Sequence, residues 1–199
     1  MEDSSGIKLV IFDLDSTMVK LEVPWDQLKE EAIQMAREYG IDVDGSLPMM
    51  EVSNLLDEYP DAKEPLYHLF KRYEARCVEG EAYYVYPGIR ELVHDLKEKG
   101  YQLAVASANC QSTVEEVLQA AGLLDSFDAA LGREKAGRNK PSPSQLNNIL
   151  GELNAAKEST LMVGDSRYDE GAAEAAGVKF FNISGHGNRV EELRQMLLD

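Results

Sequence analysis

Ile7-Lys8-Leu9-Val10-Ile11-Phe12-Asp13-Leu14-Asp15-Ser16-Thr17 is an apolar run that ends in two acids and two hydroxyls. The run at 7–12 reads as a buried strand. It is short, apolar and closed by polar residues, as parallel strands covered on both faces tend to be. Four further runs share this character, at 102–106, 128–131, 160–163 and 179–183. Amphipathic stripes lie between them. Ile89, Leu92, Val93 and Leu96 fall on one helical face, and Gly100 supplies a stop. Val114, Val117, Leu118 and Ala121 repeat the pattern before Gly122. Ser142-Pro143-Ser144-Gln145 reads as a helix start, with Ser142 as N-cap, Pro143 at the first helical position and Gln145 closing a capping box. A short helix from Asp169 to Ala176 stops at Gly177, and the last helix turns Val190, Leu193 and Leu197 inward. Strands alternating with helices predict an α/β fold: a doubly wound, five-stranded, Rossmann-like parallel sheet.

One interval breaks the alternation. The stretch from Asp13 to Ser107 is about three times the roughly 30 residues of a βαβ unit. Its excess is helical in pattern. Trp25, Leu28, Ala32, Met35, Ala36 and Tyr39 follow one stripe up to Gly40. Val52, Leu55 and Leu56 form a short one, and Leu66, Leu69, Phe70, Tyr73 and Cys77 another. This spacing predicts a small α-helical cap domain at 20–85, inserted into a core domain made of 1–19 and 86–199. Trp25, Tyr67 and Tyr73 belong to the core of that cap, and Tyr83-Tyr84 to packing of the linker.

Composition narrows the class. The chain has 199 residues and 44% hydrophobic side chains, enough for a packed core. With 20 Lys+Arg against 36 Asp+Glu, its net charge of −16 argues against a nucleic-acid partner. No apolar run approaches the roughly 18 residues a membrane span requires. The opening Met-Glu-Asp-Ser-Ser-Gly is the opposite of a secretory leader. Cys77 and Cys110 make neither a disulfide framework nor a zinc site. The expectation is a soluble cytoplasmic protein with no membrane partner. Oligomeric state has no signature in the sequence.

Ligands of open parallel sheets bind beyond the carboxyl ends of the strands. Asp13, Asp15 and Thr17 follow the first strand, Ser107 and Asn109 the second, and Gly164, Asp165 and Asp169 the strand at 160. Lys140 lies between the last two groups. Two unit charges 4 Å apart repel by about 4 kcal/mol at an effective dielectric near 20, so clustered carboxylates call for a cation or a raised pKa. All-oxygen donors suit Mg²⁺. Lys140 and the Ser107 hydroxyl are natural partners of phosphate oxygens. Along a strand, residues two apart point to the same side. Asp13 is then placed to attack and Asp15 to exchange a proton with the leaving group and with water.

This ordered set, Asp13 to Thr17, Ser107, Lys140, and Gly164 to Asp169, resembles the haloacid dehalogenase-like superfamily, in particular its phosphatases with a helical cap after the first motif. The resemblance implies that Asp13 is the nucleophile of an aspartyl-phosphate and Asp15 the acid/base. It implies that Ser107, Asn109 and Lys140 bind the substrate phosphate. Asp13, the backbone carbonyl of Asp15, and Asp165 would hold Mg²⁺, with Asp169, Thr17 and Gly164 in support. A cap of this kind is expected to close over substrate and exclude water. An acid at Asp15 favours phosphate esters over halides and phosphonates. Tyr86-Pro87-Gly88-Ile89 also looks like the phosphoglycolate phosphatases, so the expected partner is a small phosphorylated metabolite. Ser16, Met18 and Lys20 depart from the pattern, where Gly, Leu and Asp are commoner. An acidic surface does not steer anions in, so local cations such as Lys20 gain interest.

Other readings remain. The same site serves a β-phosphoglucomutase-like phosphomutase or a pyrophosphatase, and a non-catalytic regulatory module could keep the fold. A receiver-like domain fits less well, given the insertion and Asp15. Asp165 and Asp169 could simply open a helix. Gly164 is explained by a tight strand-to-helix turn. His68, His94 and His186 are scattered and read as structural or exposed, Arg167 as a surface charge, and Cys110 as unactivated.

Overall fold

The computed structural model describes residues 6–198. Residues 1–5, which carry most of the acidic opening, lie outside the described residues. The chain divides into two compact units, Met1–Leu21 with Tyr83–Asp199, and Glu22–Ala82. In the larger unit, β1 (Leu9–Phe12) is followed by β2 (Val19–Leu21). The chain then forms the helices of the smaller unit, α1 (Trp25–Glu38), α2 (Met49–Leu56) and α3 (Pro60–Glu79). It returns through β3 (Tyr83–Val85), α4 (Ile89–Glu98), β4 (Gln102–Ala106), α5 (Gln111–Ala120) and β5 (Ala129–Leu131). The last stretch is α6 (Ser144–Glu152), β6 (Thr160–Gly164), α7 (Arg167–Ala176), β7 (Lys179–Asn182) and α8 (Asn188–Leu198).

Five strands form one parallel sheet in the order β5-β4-β1-β6-β7. Every residue of β1 is buried. Leu9 and Ile11 pack with Ala104, Leu146, Ile149, Met162 and Ala173 on one face. Val10 and Phe12 point the other way and are just as inaccessible. Double coverage is why β1 and β6 are nearly continuous apolar runs in the sequence, whereas the edge strand β7 is exposed at both ends. The strand order reverses at β1, between β4 and β6. That switch point is where an α/β sheet leaves a crevice at its carboxyl edge. Asp13, Ser107 and Asp165 each directly follow one of the three strands that meet there.

Two local features differ from expectation. Val19–Leu21 and Tyr83–Val85 pair as an antiparallel ribbon, with Lys20 opposite Tyr84. The backbone groups of the two segments satisfy one another. Lys20, Leu21 and Tyr83–Val85 therefore stay with the larger unit, and Tyr83-Tyr84 is strand. At α6 the N-cap is Pro143 rather than Ser142, in helical geometry and without a side-chain cap; Ser142 sits one residue further out, its Oγ accepting the Ser144 N–H at 3.3 Å. Gln145 closes no capping box, for its side chain is fully buried and bonds elsewhere.

In the smaller unit, Leu28, Ala32 and Ala36 of α1, Val52 and Leu56 of α2, and Leu66, Leu69, Phe70, Tyr73 and Cys77 of α3 are buried. The Trp25 and Phe70 rings sit 6.4 Å apart. No helix among the described residues is long and apolar enough to cross a membrane.

Candidate active site

β1 ends at Phe12, and a tight turn follows the two acids. The N–H groups of Thr17, Met18 and Val19 all donate to the Leu14 carbonyl, at 3.3, 2.9 and 3.1 Å. Ser16 takes the left-handed conformation at φ 65° to close that turn. The Asp13 N–H donates to Val163 O at 2.9 Å, pinning the first acid to β6. Asp15 is held differently: its carboxylate accepts the Leu21 N–H of β2 at 2.9 Å.

Lys140 organises the floor. Its ammonium donates to Asp13 Oδ1 at 2.6 Å, Asp169 Oδ1 at 2.5 Å and the Ala106 carbonyl at 3.0 Å. It is 3% exposed and Asp169 1%, so this is an ion-pair triad removed from water. Asp169 also closes the capping box of α7. Its Oδ2 accepts from Ser166 N and Ser166 Oγ, and its own N–H donates back to Ser166 Oγ. Thr17 Oγ1 lies 3.4 Å from Asp13 Oδ2 and 3.2 Å from Asp165 Oδ1, and its one proton serves either acid. The Gly164 requirement is steric rather than torsional. A Cβ there would overlap Cβ and Cγ of Asp169.

The structure thus brings together Asp13, Thr17, Lys140, Gly164, Asp165 and Asp169. Ser107 and Asn109 form a neighbouring pair. Ser107 Oγ donates to Asn109 Oδ1 at 2.9 Å and accepts the Asn109 N–H at 3.1 Å. They adjoin the floor through Ala106, whose carbonyl Lys140 holds.

The electrostatics follow from burial. Desolvation lifts the Asp13 carboxyl to about 7, with Lys140 pulling it down and Asp169 pushing it up. Desolvation, then the charge of Asp169, lifts Asp165 to about 6. Lys140 is desolvated too, yet the two carboxylates beside it hold its pKa above the ordinary lysine value. One ammonium does not neutralise three acids. Asp13, Asp165 and Asp169 each offer a carboxylate oxygen within 4.8 Å of the others. Such a donor set, all oxygen and short of positive charge, fits a hard divalent cation. Both Asp169 oxygens are engaged, Oδ1 by Lys140 and Oδ2 by Ser166, whereas Lys140 takes only Oδ1 of Asp13, which leaves Asp13 and Asp165 as the better-placed carboxylates.

Two contributors escape a reading by sequence. Gln145 Nε2 donates to the carbonyls of Ser107, Leu131 and Gly132 at 2.9, 2.8 and 3.3 Å, tying α6 to the ends of β4 and β5. His186 Nε2 lies 3.1 Å from the Thr17 carbonyl, which makes that nitrogen the donor. Its ring stacks on Tyr86 with centroids 3.3 Å apart.

The profile of the haloacid dehalogenase-like hydrolases matches residues 10–183. A phosphoglycolate phosphatase of Nitrosospira multiformis is 31% identical over 193 residues, 89% of this chain and 83% of that protein. One from Cereibacter sphaeroides is 35% identical over a shorter span of 96 residues, 48% of this chain and 43% of that one. Among solved structures, a haloacid dehalogenase superfamily hydrolase of Geobacter sulfurreducens superposes with a TM-score of 0.64 at 21% identity. The match covers 98% of this chain and 99% of that one, a likeness of fold.

Proposed function

The chain belongs to the haloacid dehalogenase-like hydrolase family and is a phosphatase, and we propose that it hydrolyses a small phosphate monoester such as phosphoglycolate through an aspartyl-phosphate on Asp13. One observation carries the reading. A buried ammonium, Lys140, sits between Asp13 and Asp169 beside Asp165, at the carboxyl edge of the sheet.

In this reading an Asp13 carboxylate oxygen attacks phosphorus, the ester P–O bond breaks, and Asp15 gives its proton to the departing oxygen. Asp15 then takes a proton from water, which attacks the phosphoryl group and regenerates free Asp13 with release of inorganic phosphate. Lys140 offsets charge on the phosphoryl oxygens while fixing the orientation of Asp13. Ser107 and Asn109 bind the phosphate from the β4 side, and Gln145 sets the height of the Ser107 backbone. Asp169 orients Lys140, and Thr17 steadies the carboxylates of Asp13 and Asp165.

The proposed cofactor is Mg²⁺, held by Asp13, Asp165 and the backbone carbonyl of Asp15. When bound it would neutralise the acids and polarise the phosphoryl group.

The test is turnover of p-nitrophenyl phosphate, followed by a panel of phosphoglycolate, sugar phosphates and pyrophosphate with product analysis. Asp13→Asn is expected to abolish turnover. EDTA is expected to do the same reversibly, with Mg²⁺ restoring it. Undiminished activity in either case overturns the mechanism.

A further inference from the structure

Lys140 has all three ammonium protons committed to Asp13, Asp169 and Ala106. A second lysine stands beside the same loop in a different condition. Lys20 Nζ donates to the Ser16 hydroxyl at 3.3 Å, and among the described residues it forms no ion pair. In a chain of net charge −16, Lys20 thus stands next to the acid-bearing turn with a hydroxyl, not a carboxylate, as its contact.

The ribbon explains where it points. Val19 and Leu21 turn inward and are buried, so Lys20 between them takes the opposite face. Tyr84 is its direct partner on β3, and directly paired residues share a face. Tyr84 is 50% exposed, and its ring meets Tyr86 edge-on at 5.3 Å. Tyr86 stacks on His186, which holds the Thr17 carbonyl. Ser16, the contact of Lys20, immediately follows Asp15, and Leu21, its neighbour, holds the Asp15 carboxylate. A polar and aromatic face thus runs from Lys20 and Tyr84 back to the turn that bears Asp15 and Thr17.

We propose that Lys20, walled by Tyr84 and Tyr86, is the leaving-group subsite, and that it selects esters whose leaving group carries a second anionic group, such as a carboxylate. The assignment rests on the phosphatase reading and on Asp15 as the group that protonates the leaving oxygen. It answers how a strongly acidic protein attracts a doubly anionic substrate: the attraction is local. Ser16 is the stand-in partner, a neutral hydroxyl that an incoming carboxylate displaces with a stronger, charge-assisted bond.

The experiment compares kcat/KM for phosphoglycolate and for 2-hydroxyethyl phosphate, which has the same length and a neutral end. The wild-type protein is expected to favour phosphoglycolate by about tenfold or more, the size of one charge-assisted hydrogen bond. Lys20→Met is expected to collapse that ratio towards one, mainly through KM, and Lys20→Arg to retain most of it. Equal use of both esters by the wild type overturns the subsite. So does an equal loss on both esters in Lys20→Met, which is what mere bracing of Ser16 would produce. If the wild type turns over neither ester nor p-nitrophenyl phosphate, the phosphatase reading falls and the subsite with it.

Discussion

The sheet edge of the larger unit and the paired surface of α1 and α3 in the smaller one use the same kinds of charged side chain in opposite ways. At the sheet edge, Lys140, Asp13 and Asp169 are at most 7% exposed. In the helical unit, Arg72 of α3 pairs with Glu31 of α1 at the surface, with about half of each side chain in water, and the Tyr73 hydroxyl donates to Glu31 at 2.5 Å. A surface pair contributes about 0–1 kcal/mol. A buried one offsets a desolvation cost of several kcal/mol per ion, and an apolar substitute of equal volume is often more stable. A fold gains little stability by burying such a triad. The charges at the sheet edge are there for chemistry, whereas the Arg72–Glu31 pair sits in water over an amphipathic core whose one buried acid among the described residues is Glu74 of α3.

The sharpest way to break this contrast is to remove one cation from each unit. Lys140→Met leaves Asp13 and Asp169 buried without their ammonium. It is expected to cost about 3–5 kcal/mol in urea unfolding and to lower turnover by about 100-fold or more. Arg72→Met is expected to cost about 1 kcal/mol or less, with turnover kept. Equal costs at the two sites would abolish the distinction.

Glycines give a smaller version of the same test. A Cβ on Gly164 meets Asp169 below any tolerable distance, while one on Gly45 meets only Ile33 Cδ1, at 4.0 Å. Gly164→Ala must displace the residue that holds Lys140. It is expected to destabilise by about 1–3 kcal/mol and to reduce turnover with it. Gly45→Ala should stay within about 0.5 kcal/mol. Paired melting curves and p-nitrophenyl phosphate assays decide, and a neutral Gly164→Ala refutes the steric reading.

How much of this was legible in the sequence depends on distance along the chain. The central strands stand out because burial on both faces leaves nearly unbroken apolar runs, and the helices of the smaller unit because one buried face repeats every turn. The acids stand out because they come after strand ends, and Lys140 because it lies between the second and last motif groups. The ribbon did not: three residues at 19–21 pair with three at 83–85, and neither segment carries a pattern long enough to count. His186 reaches Thr17 across 169 residues, a contact no local spacing encodes. Gln145 misled for a different reason. Ser-Pro-Ser-Gln satisfies the local capping pattern, but the carbonyls of Ser107, Leu131 and Gly132 converge in a buried place, and the amide donor went where the unmet acceptors were. At Gly164 the sequence suggests only a tight turn, whereas Asp169, packed against it, is what forbids a side chain.

Titration gives the smallest and most specific separation of the two units. The Tyr73 hydrogen bond, then Arg72, lowers the Glu31 pKa, so Glu31 contributes stability that is present above 4.5 and lost only as pH falls below it. Asp165 and Asp13 act in the reverse sense. Their folded pKa values, about 6 and about 7, exceed the unfolded 3.8. Between those limits the folded chain binds more protons than the unfolded one, so stability falls as pH rises from about 5 to about 7. His186, lowered by desolvation, opposes this, since its neutral form is favoured in the fold. The measurement is therefore a difference. With EDTA present, the melting temperature of the wild type is expected to drop relative to that of Asp165→Asn as pH rises through about 6, and Mg²⁺ should erase the drop by meeting the newly ionised acids. Glu31→Gln should lower the melting temperature above about pH 4.5 and converge on the wild type as pH falls below it. A wild type and an Asp165→Asn variant that run parallel from pH 5 to 7 would mean that the sheet-edge acids ionise as freely as those of the helices, and the contrast between the two units would lose its electrostatic basis.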